Sequence, residues 1–204
     1  PLTPPRRRGG GFQADAATTQ TTGTQHARSP EPEPLIALGA KLFSDSRLSK
    51  DGTMSCASCH NPKQAFTNPS PPSRPGVTGT RLRRDVPSLL NVAFASPLHH
   101  DGREPSLEVQ ILAPLFNASE MANTTFDDLT QRLAAFPEYR DAFQTVFGER
   151  PTIESLGAAL AAYERSLISG ATIFDLWRNS NQEDALSAAA KSGFALFTGK
   201  AGCG

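Results

Sequence analysis

The chain has 204 residues, 38% of them hydrophobic, which is enough to bury one good core or one small domain with part of another. Twenty Lys and Arg balance twenty Asp and Glu, so a net charge of zero gives no sign of nucleic acid or an anionic membrane surface as a partner. No apolar run approaches the roughly eighteen residues that a membrane-spanning helix needs.

Residues 1–34 are rich in Pro, Gly, Thr, Gln and Arg and almost devoid of apolar side chains, which predicts a disordered leader. Arg6-Arg7-Arg8 has the look of a twin-arginine export signal, but no hydrophobic stretch follows, so a solvated basic patch is the better reading. His26 lies in the same tail and reads as solvated. Order is expected from near Leu35, where Leu35, Leu38 and Leu42 mark one face of a helix ending around Phe43. After the cysteine pair at Cys56 and Cys59, residues 61–84 carry many Pro, Gly and Ser and predict a long irregular loop. Loops of that length in compact domains are usually functional.

Helices are predicted for the remainder. Ser106 can cap one carrying Leu107, Ile111 and Leu115, with Pro114 arguing that regular structure stops before it. Thr125 with Asp128 fits a capping box ahead of Leu129 and Leu133. Pro137 suits the first turn of a helix through Phe143 and Phe147, closed by Gly148. Thr152 can start another, with Leu156, Leu160, Tyr163 and Leu167 on one face, and a last helix is expected over about 186–197. No convincing alternating strand is present, so the fold class is all-α.

Cys56-Ala57-Ser58-Cys59-His60 carries the chemistry. A C-x-x-C-H run is a c-type haem attachment pattern: each thiol can add to a haem vinyl group, and the adjacent imidazole is held where it can bind iron. A zinc site would want a second pair of soft ligands at similar spacing, and none is present. A dithiol redox pair expects a βαβ setting, whereas these surroundings read as helical. Haem attachment is therefore favoured over both. The G-x-x-L-F pattern of Gly39 to Phe43 recurs at Gly193 to Phe197, and Cys203 follows six residues later. Cys203 can be a lone thiol, but Cys203-Gly204 also suits the first two residues of a second C-x-x-C-H; the latter is favoured, which would make the chain one haem domain and the start of another.

Several segments in order resemble one family. They are Leu38 to Phe43 with Arg47-Leu48-Ser49, Ser55 to His60, Arg84 to Asn91 (R-D-V-P-S-L-L-N), Asp101-Gly102-Arg103, Leu107 with Gln110, Asn117 to Met121, and Leu196 through Cys203. The pattern is similar to that of the bacterial di-haem cytochrome c peroxidases and their MauG-like relatives. The resemblance implies two cytochrome c-like helical domains, each with a covalent haem c: a peroxidatic domain over 35–170 with long irregular loops, and over 171–204 the start of a truncated electron-transfer domain. On that pattern Cys56 and Cys59 anchor the peroxidatic haem and His60 is its iron ligand. Glu120 matches the distal acid/base, Gln110 the glutamine over the same haem face, and Cys203 the start of the second attachment site. Asp85 lies near the place of a calcium-site asparagine, so calcium is admitted. The implied activity is periplasmic reduction of hydrogen peroxide to water, with electrons from a small cytochrome c or copper protein; a homodimer is also admitted.

Two departures from the family pattern stand out. Relatives often place an iron-capping histidine in the loop before R-x-x-P-x-x-L-N, and residues 75–79 contain none, which predicts an iron without that sixth ligand. His100 stands where relatives commonly have a Trp between the haems, and the one Trp, Trp177, does not match that place. His100 reads equally as a polar loop residue or as part of a changed electron path. Two other functions fit the resemblance or the haem site: a MauG-like oxidase that modifies a partner protein, and a plain electron carrier in which Glu120 has no role.

Overall fold

The computed structural model of the chain describes residues 31–68, 75–82, 84–99 and 101–203. The expectations for residues 1–30, including Arg6 to Arg8 and His26, and those for His100 lie outside the described residues. Among the described residues the regular structure is helical, with isolated β-bridges only at Asn61–Thr67 and Leu98–Glu104.

Helix α1 (Glu33–Phe43) starts two residues ahead of Leu35, because Pro34 sits in its first turn, where a missing N–H costs no intrahelical bond. Glu33 in that turn and Lys41 in the last one oppose the helix dipole favourably. The chain then makes a 3-10 turn at Ser46–Leu48 and enters α2 (Cys56–Cys59), one turn long. A long connection of 3-10 turns leads to α3 (Leu107–Gln110), capped by the Ser106 hydroxyl as expected.

Pro114 does not end regular structure. The helix breaks instead at Ile111 and resumes as α4 (Leu112–Phe116), which takes Pro114 into its first turn. Helices α5 (Phe126–Ala134), α6 (Pro137–Phe147) and α7 (Ile153–Ser166) follow the predicted boundaries. The Thr125 hydroxyl accepts from the Asp128 N–H, while no return bond completes the capping box; at Thr152 the box is complete, with Ser155 as the other half. Gly148 ends α6 at φ 73°, a left-handed conformation open to glycine without strain. Helix α8 (Ile173–Asn179) was not predicted: it is seven residues long, rests on a Thr172–Asp175 capping box and has no buried face to leave a periodic pattern. Helix α9 (Ala188–Thr198) starts where Ser187 caps it, two residues later than expected.

The core is one cluster in which Leu42, Phe43, Leu48, Leu129, Leu133, Tyr139, Phe143, Leu156 and Leu160 are fully buried. Its tightest point is the crossing of α1 and α7. A Cβ on Gly39 would lie 2.0 Å from the Ala159 carbonyl oxygen and 2.7 Å from the Tyr163 Cβ, so only glycine lets the backbones approach this far. One turn on, the Phe43 and Tyr163 rings meet at 5.1 Å between centroids. The end of α1 is tied to α6 by Asp45, which accepts from Arg47 and, at 2.5 Å, from the Tyr139 hydroxyl. Burial would raise the Asp45 carboxyl, but these bonds hold it down at about 2. The segment 171–203 packs on itself: Phe174, Trp177 and Phe194 meet edge to face, and none of its described residues is buried.

Gly39→Ala is expected to destabilise the folded chain by about 3 kcal/mol, since the added methyl must push two packed helices apart. Guanidinium unfolding of the two proteins side by side measures it; equal midpoints would show that the crossing yields without cost.

Candidate functional site

Helix α2 presents Cys56 and Cys59 one turn apart, and no disulfide joins them. The Ser55 N–H donates to the Ser58 hydroxyl at 3.0 Å, satisfying a donor that so short a helix would leave open. His60 follows as the C-cap, its N–H donating to the Cys56 carbonyl at 2.8 Å. The His60 ring makes a second bond that decides its chemistry. Its Nδ1 stands 3.0 Å from the Phe66 carbonyl oxygen, and because a carbonyl only accepts, Nδ1 carries the proton. Burial lowers the His60 pKa against the opposing pull of the Phe66 and Pro87 carbonyls, which keeps the ring neutral and leaves the Nε2 lone pair for a metal.

The Phe66 carbonyl is placed by an unusual turn. Ala65 and Phe66 both have positive φ, 53° and 56°, a costly conformation for residues with a side chain. It is braced from outside: the Ser88 hydroxyl donates to the Ala65 carbonyl at 2.5 Å and the Thr67 hydroxyl to the Val86 carbonyl. The Phe66 ring packs edge-on against Phe43 at 6.1 Å, which ties the turn to the core. Thus the predicted loop after the cysteine pair orients the histidine.

Cys56 has a neighbour that the motif did not reveal. Glu164, on the last turn of α7, is 6% exposed and its Oε2 has no hydrogen-bond partner among the described residues. Burial pushes this carboxyl up to about 8, against the pull of the adjacent Arg165. Arg165 turns outward, its Nε bonding Glu31 at 2.8 Å and its Nη1 bonding Glu108 at 2.6 Å. Burial, reinforced by Glu164, also pushes the Cys56 thiol up to about 12. A reactive dithiol needs the opposite, a stabilised thiolate. The pair therefore suits a thiol held for covalent attachment, and two thiols, a neutral imidazole with a free Nε2 and an orphaned buried oxygen together fit a haem c group.

Glu120 lies in the turn after α4. The Asn117 side-chain N–H donates to its Oε1 at 2.7 Å, the Glu120 N–H donates to the Asn117 carbonyl, and the Asn117 Oδ1 accepts from the Ser119 N–H at 2.9 Å, which sets the amide's orientation. Burial raises the Glu120 pKa, with the Asn117 bond opposing. The segment is anchored behind: the Lys50 N–H donates to the Met121 carbonyl, and buried Asn123 bonds the carbonyls of Leu48 and Leu115 and accepts from Arg132. Asn117 was within reach of sequence reasoning as a short polar residue three positions ahead of Glu120.

Gln110 ends α3, half-buried, and no hydrogen bond joins it to Glu120 or to His60 among the described residues. Cys203 is exposed, and its thiol donates to the Ala201 carbonyl at 3.6 Å. Asp85 is exposed, and among the described residues no three His, Cys, Asp or Glu side chains cluster as a metal site would.

Comparison with known proteins places this arrangement. A family model described as di-haem cytochrome c peroxidase matches residues 33–183. The chain is 42% identical over 180 residues to the methylamine utilization protein MauG of Methylorubrum extorquens, covering 85% of this chain and 50% of that protein. It is 40% identical to the cytochrome-c peroxidase IdrP1 of Denitromonas iodatirespirans, covering 87% of this chain and 47% of that one. A solved MauG-like protein associated with microbial copper homeostasis superposes with a TM-score of 0.76 at 31% identity, over 83% of this chain and 50% of that structure. The chain thus spans about half the length of the relatives it matches.

The buried Glu164 predicts a pH dependence of stability. In the folded protein it keeps its proton to about 8, while the unfolded chain releases it near the ordinary 4.5. The unfolded state therefore binds fewer protons between these values, and stability falls as pH rises through that window and levels off above it. The loss is on the order of 4 kcal/mol, and Glu164→Gln should abolish that part of the slope. Guanidinium unfolding of both haem-loaded proteins at pH 5 and pH 8.5 measures it; parallel slopes would show that Glu164 is not buried with its proton.

Proposed function

The chain belongs to the di-haem cytochrome c peroxidase family, and from that premise we propose that it is the peroxide-reacting half of a periplasmic enzyme that reduces hydrogen peroxide to water. In this reading the Sγ atoms of Cys56 and Cys59 hold a haem c and Nε2 of His60 binds its iron, a tautomer secured by the Phe66 carbonyl. When bound, the haem supplies the redox-active iron at which peroxide is reduced.

The observation that carries the reading is the state of Glu120. Its carboxyl is half-buried, Oε1 is engaged by Asn117, and Oε2 has no hydrogen bond to any described residue. Reduction of peroxide consumes two protons and two electrons and yields two waters, so a group beside the site must take a proton from one oxygen and return it to the other. Glu120 does this at Oε2, with a pKa raised by burial toward the working range. Asn117 keeps Oε1 from competing, and Gln110, with no side-chain hydrogen bond among the described residues, holds peroxide or the carboxylate by hydrogen bonding. No histidine stands in residues 75–79 to occupy the iron, which leaves the site open to peroxide.

A second haem, held by chain that includes Cys203, would supply the path for electrons from a small cytochrome or copper protein. Residues 171–204 begin the domain that carries it, with Cys203 as its first thioether cysteine. The exposed Ile173, Leu196 and Phe197 support this, because a helical segment with its apolar side chains unburied suits one completed by further chain. A second reading is a MauG-like oxidase that uses the same site on a partner protein. It is favoured by the 42% identity to a MauG protein and by the missing loop histidine.

Glu120→Gln in the full-length haem-loaded protein is expected to lower peroxide turnover by about 10²–10⁴-fold while leaving the haem absorption spectrum in place. Unchanged turnover would point to a plain electron carrier in which Glu120 handles no proton.

A further inference from the structure

The turn over residues 75–80 grips the backbone that bears Glu120. The Val77 N–H donates to the Glu120 carbonyl at 2.8 Å. Beside it, Gly76 comes so close that a Cβ built on it would stand 1.9 Å from the Ser119 carbonyl oxygen, 2.6 Å from its carbon and 2.8 Å from the Glu120 Cα. Glycine is demanded here by space, because Gly76 is outside the left-handed region. The turn is closed on itself, with the Gly76 N–H bonding the Thr80 carbonyl at 3.1 Å and the Gly79 N–H bonding the Gly76 carbonyl at 2.9 Å. Gly79, at φ 75°, supplies the left-handed corner. The backbone of Ser119 and Glu120 is therefore held from two sides: by Asn117 at both N–H groups, and by the 75–80 turn through a hydrogen bond at the Glu120 carbonyl and close packing at the Ser119 carbonyl.

We propose that Gly76 is a positioning residue for Glu120: the Gly76–Val77 turn, seated directly on the Ser119–Glu120 peptide, fixes where the unengaged carboxylate oxygen points. This rests on the reading of Glu120 as the proton-handling group. Side-chain bonding alone leaves the carboxyl direction loose, since Asn117 is exposed and constrains only Oε1. Any side chain at residue 76 must open the contact by at least about 1 Å to restore an ordinary separation, and a displacement of that size at a reacting group costs about 10²-fold in rate. The contact is backbone on backbone, so it cannot be relieved by a rotamer change.

The test is a double-mutant cycle of Gly76→Ala and Glu120→Gln in the full-length haem-loaded protein, read in two ways. One reading is peroxide turnover. The other is the rate at which cyanide binds the ferric protein, followed by absorbance: cyanide arrives as HCN and must leave its proton on a nearby base. Gly76→Ala should slow both by about 10- to 100-fold in protein that remains folded and haem-loaded by its absorption spectrum. In the Glu120→Gln background it should add no further loss in either. Equal losses in both backgrounds, or no loss from Gly76→Ala where Glu120→Gln is impaired, would overturn the positioning role alone. A Glu120→Gln protein with unchanged turnover and cyanide binding would overturn the Glu120 reading and this proposal with it. Should Gly76→Ala fail to fold, Val77→Pro deletes the N–H donated to Glu120 and enters the same cycle with the same expected outcomes.

Discussion

The close crossing of α1 and α7 at Gly39 is the constraint from which the rest of the fold follows. With no side chain at Gly39, α1 lies against the Ala159 carbonyl, and this brings the Phe43 and Tyr163 rings into tilted contact one turn further on. Phe43 then receives the Phe66 ring, so the strained turn at Ala65–Phe66 is positioned by the helix crossing rather than by its own preferences. Its carbonyl is the group that orients His60. The same crossing carries Glu164, the residue after Tyr163, down beside Cys56. One packing contact between two helices thus reaches both the imidazole and the thiol through a short run of direct contacts.

A second anchor holds the segment that bears Glu120. Buried Asn123 joins the carbonyls of Leu48 and Leu115, and Arg132 in turn bonds Asn123 and the Arg47 carbonyl. Arg47 also lies over the Phe136 and Tyr139 rings, so the turn after α1, the turn after α4 and the start of α6 form one body. The Glu120 segment hangs from it through Met121. Ala122, at φ 57°, reverses the chain between Met121 and Asn123, a costly conformation kept while the N–H groups of all three residues are hydrogen-bonded. Among the described residues, three of the six non-glycine residues with positive φ, Ala65, Phe66 and Ala122, lie in the turns that place His60 and Glu120.

The two buried carboxyls show how environment divides similar groups. Glu164 is buried on α7 with one oxygen unpartnered among the described residues, and burial holds its proton on. Glu120 is half-buried with a neutral donor on one oxygen, so burial raises it without isolating it from proton exchange. Cys56 shares the enclosed environment, and its raised pKa sets it apart from the thiols of redox motifs of the same spacing.

The sequence by itself determined the helical class, most helix ends and the haem-attachment run, because caps, proline and glycine positions, apolar spacing and C-x-x-C-H are local patterns. Resemblance added the family, which the family model bears out, and with it Glu120, Gln110 and the two-haem plan, which enter the proposed function. Pro114 misled because the same residue that stops one helix can open the next, and a local rule does not choose between them. Helix α8 was missed because it is short and none of its residues is buried, so no apolar period marks it. The tertiary structure alone decided which nitrogen of His60 is free, that Glu164 faces Cys56, and that Gly76 is pressed on Ser119. Each of these joins residues far apart in the chain, and such contacts are set by the packing of whole elements, which no local pattern encodes.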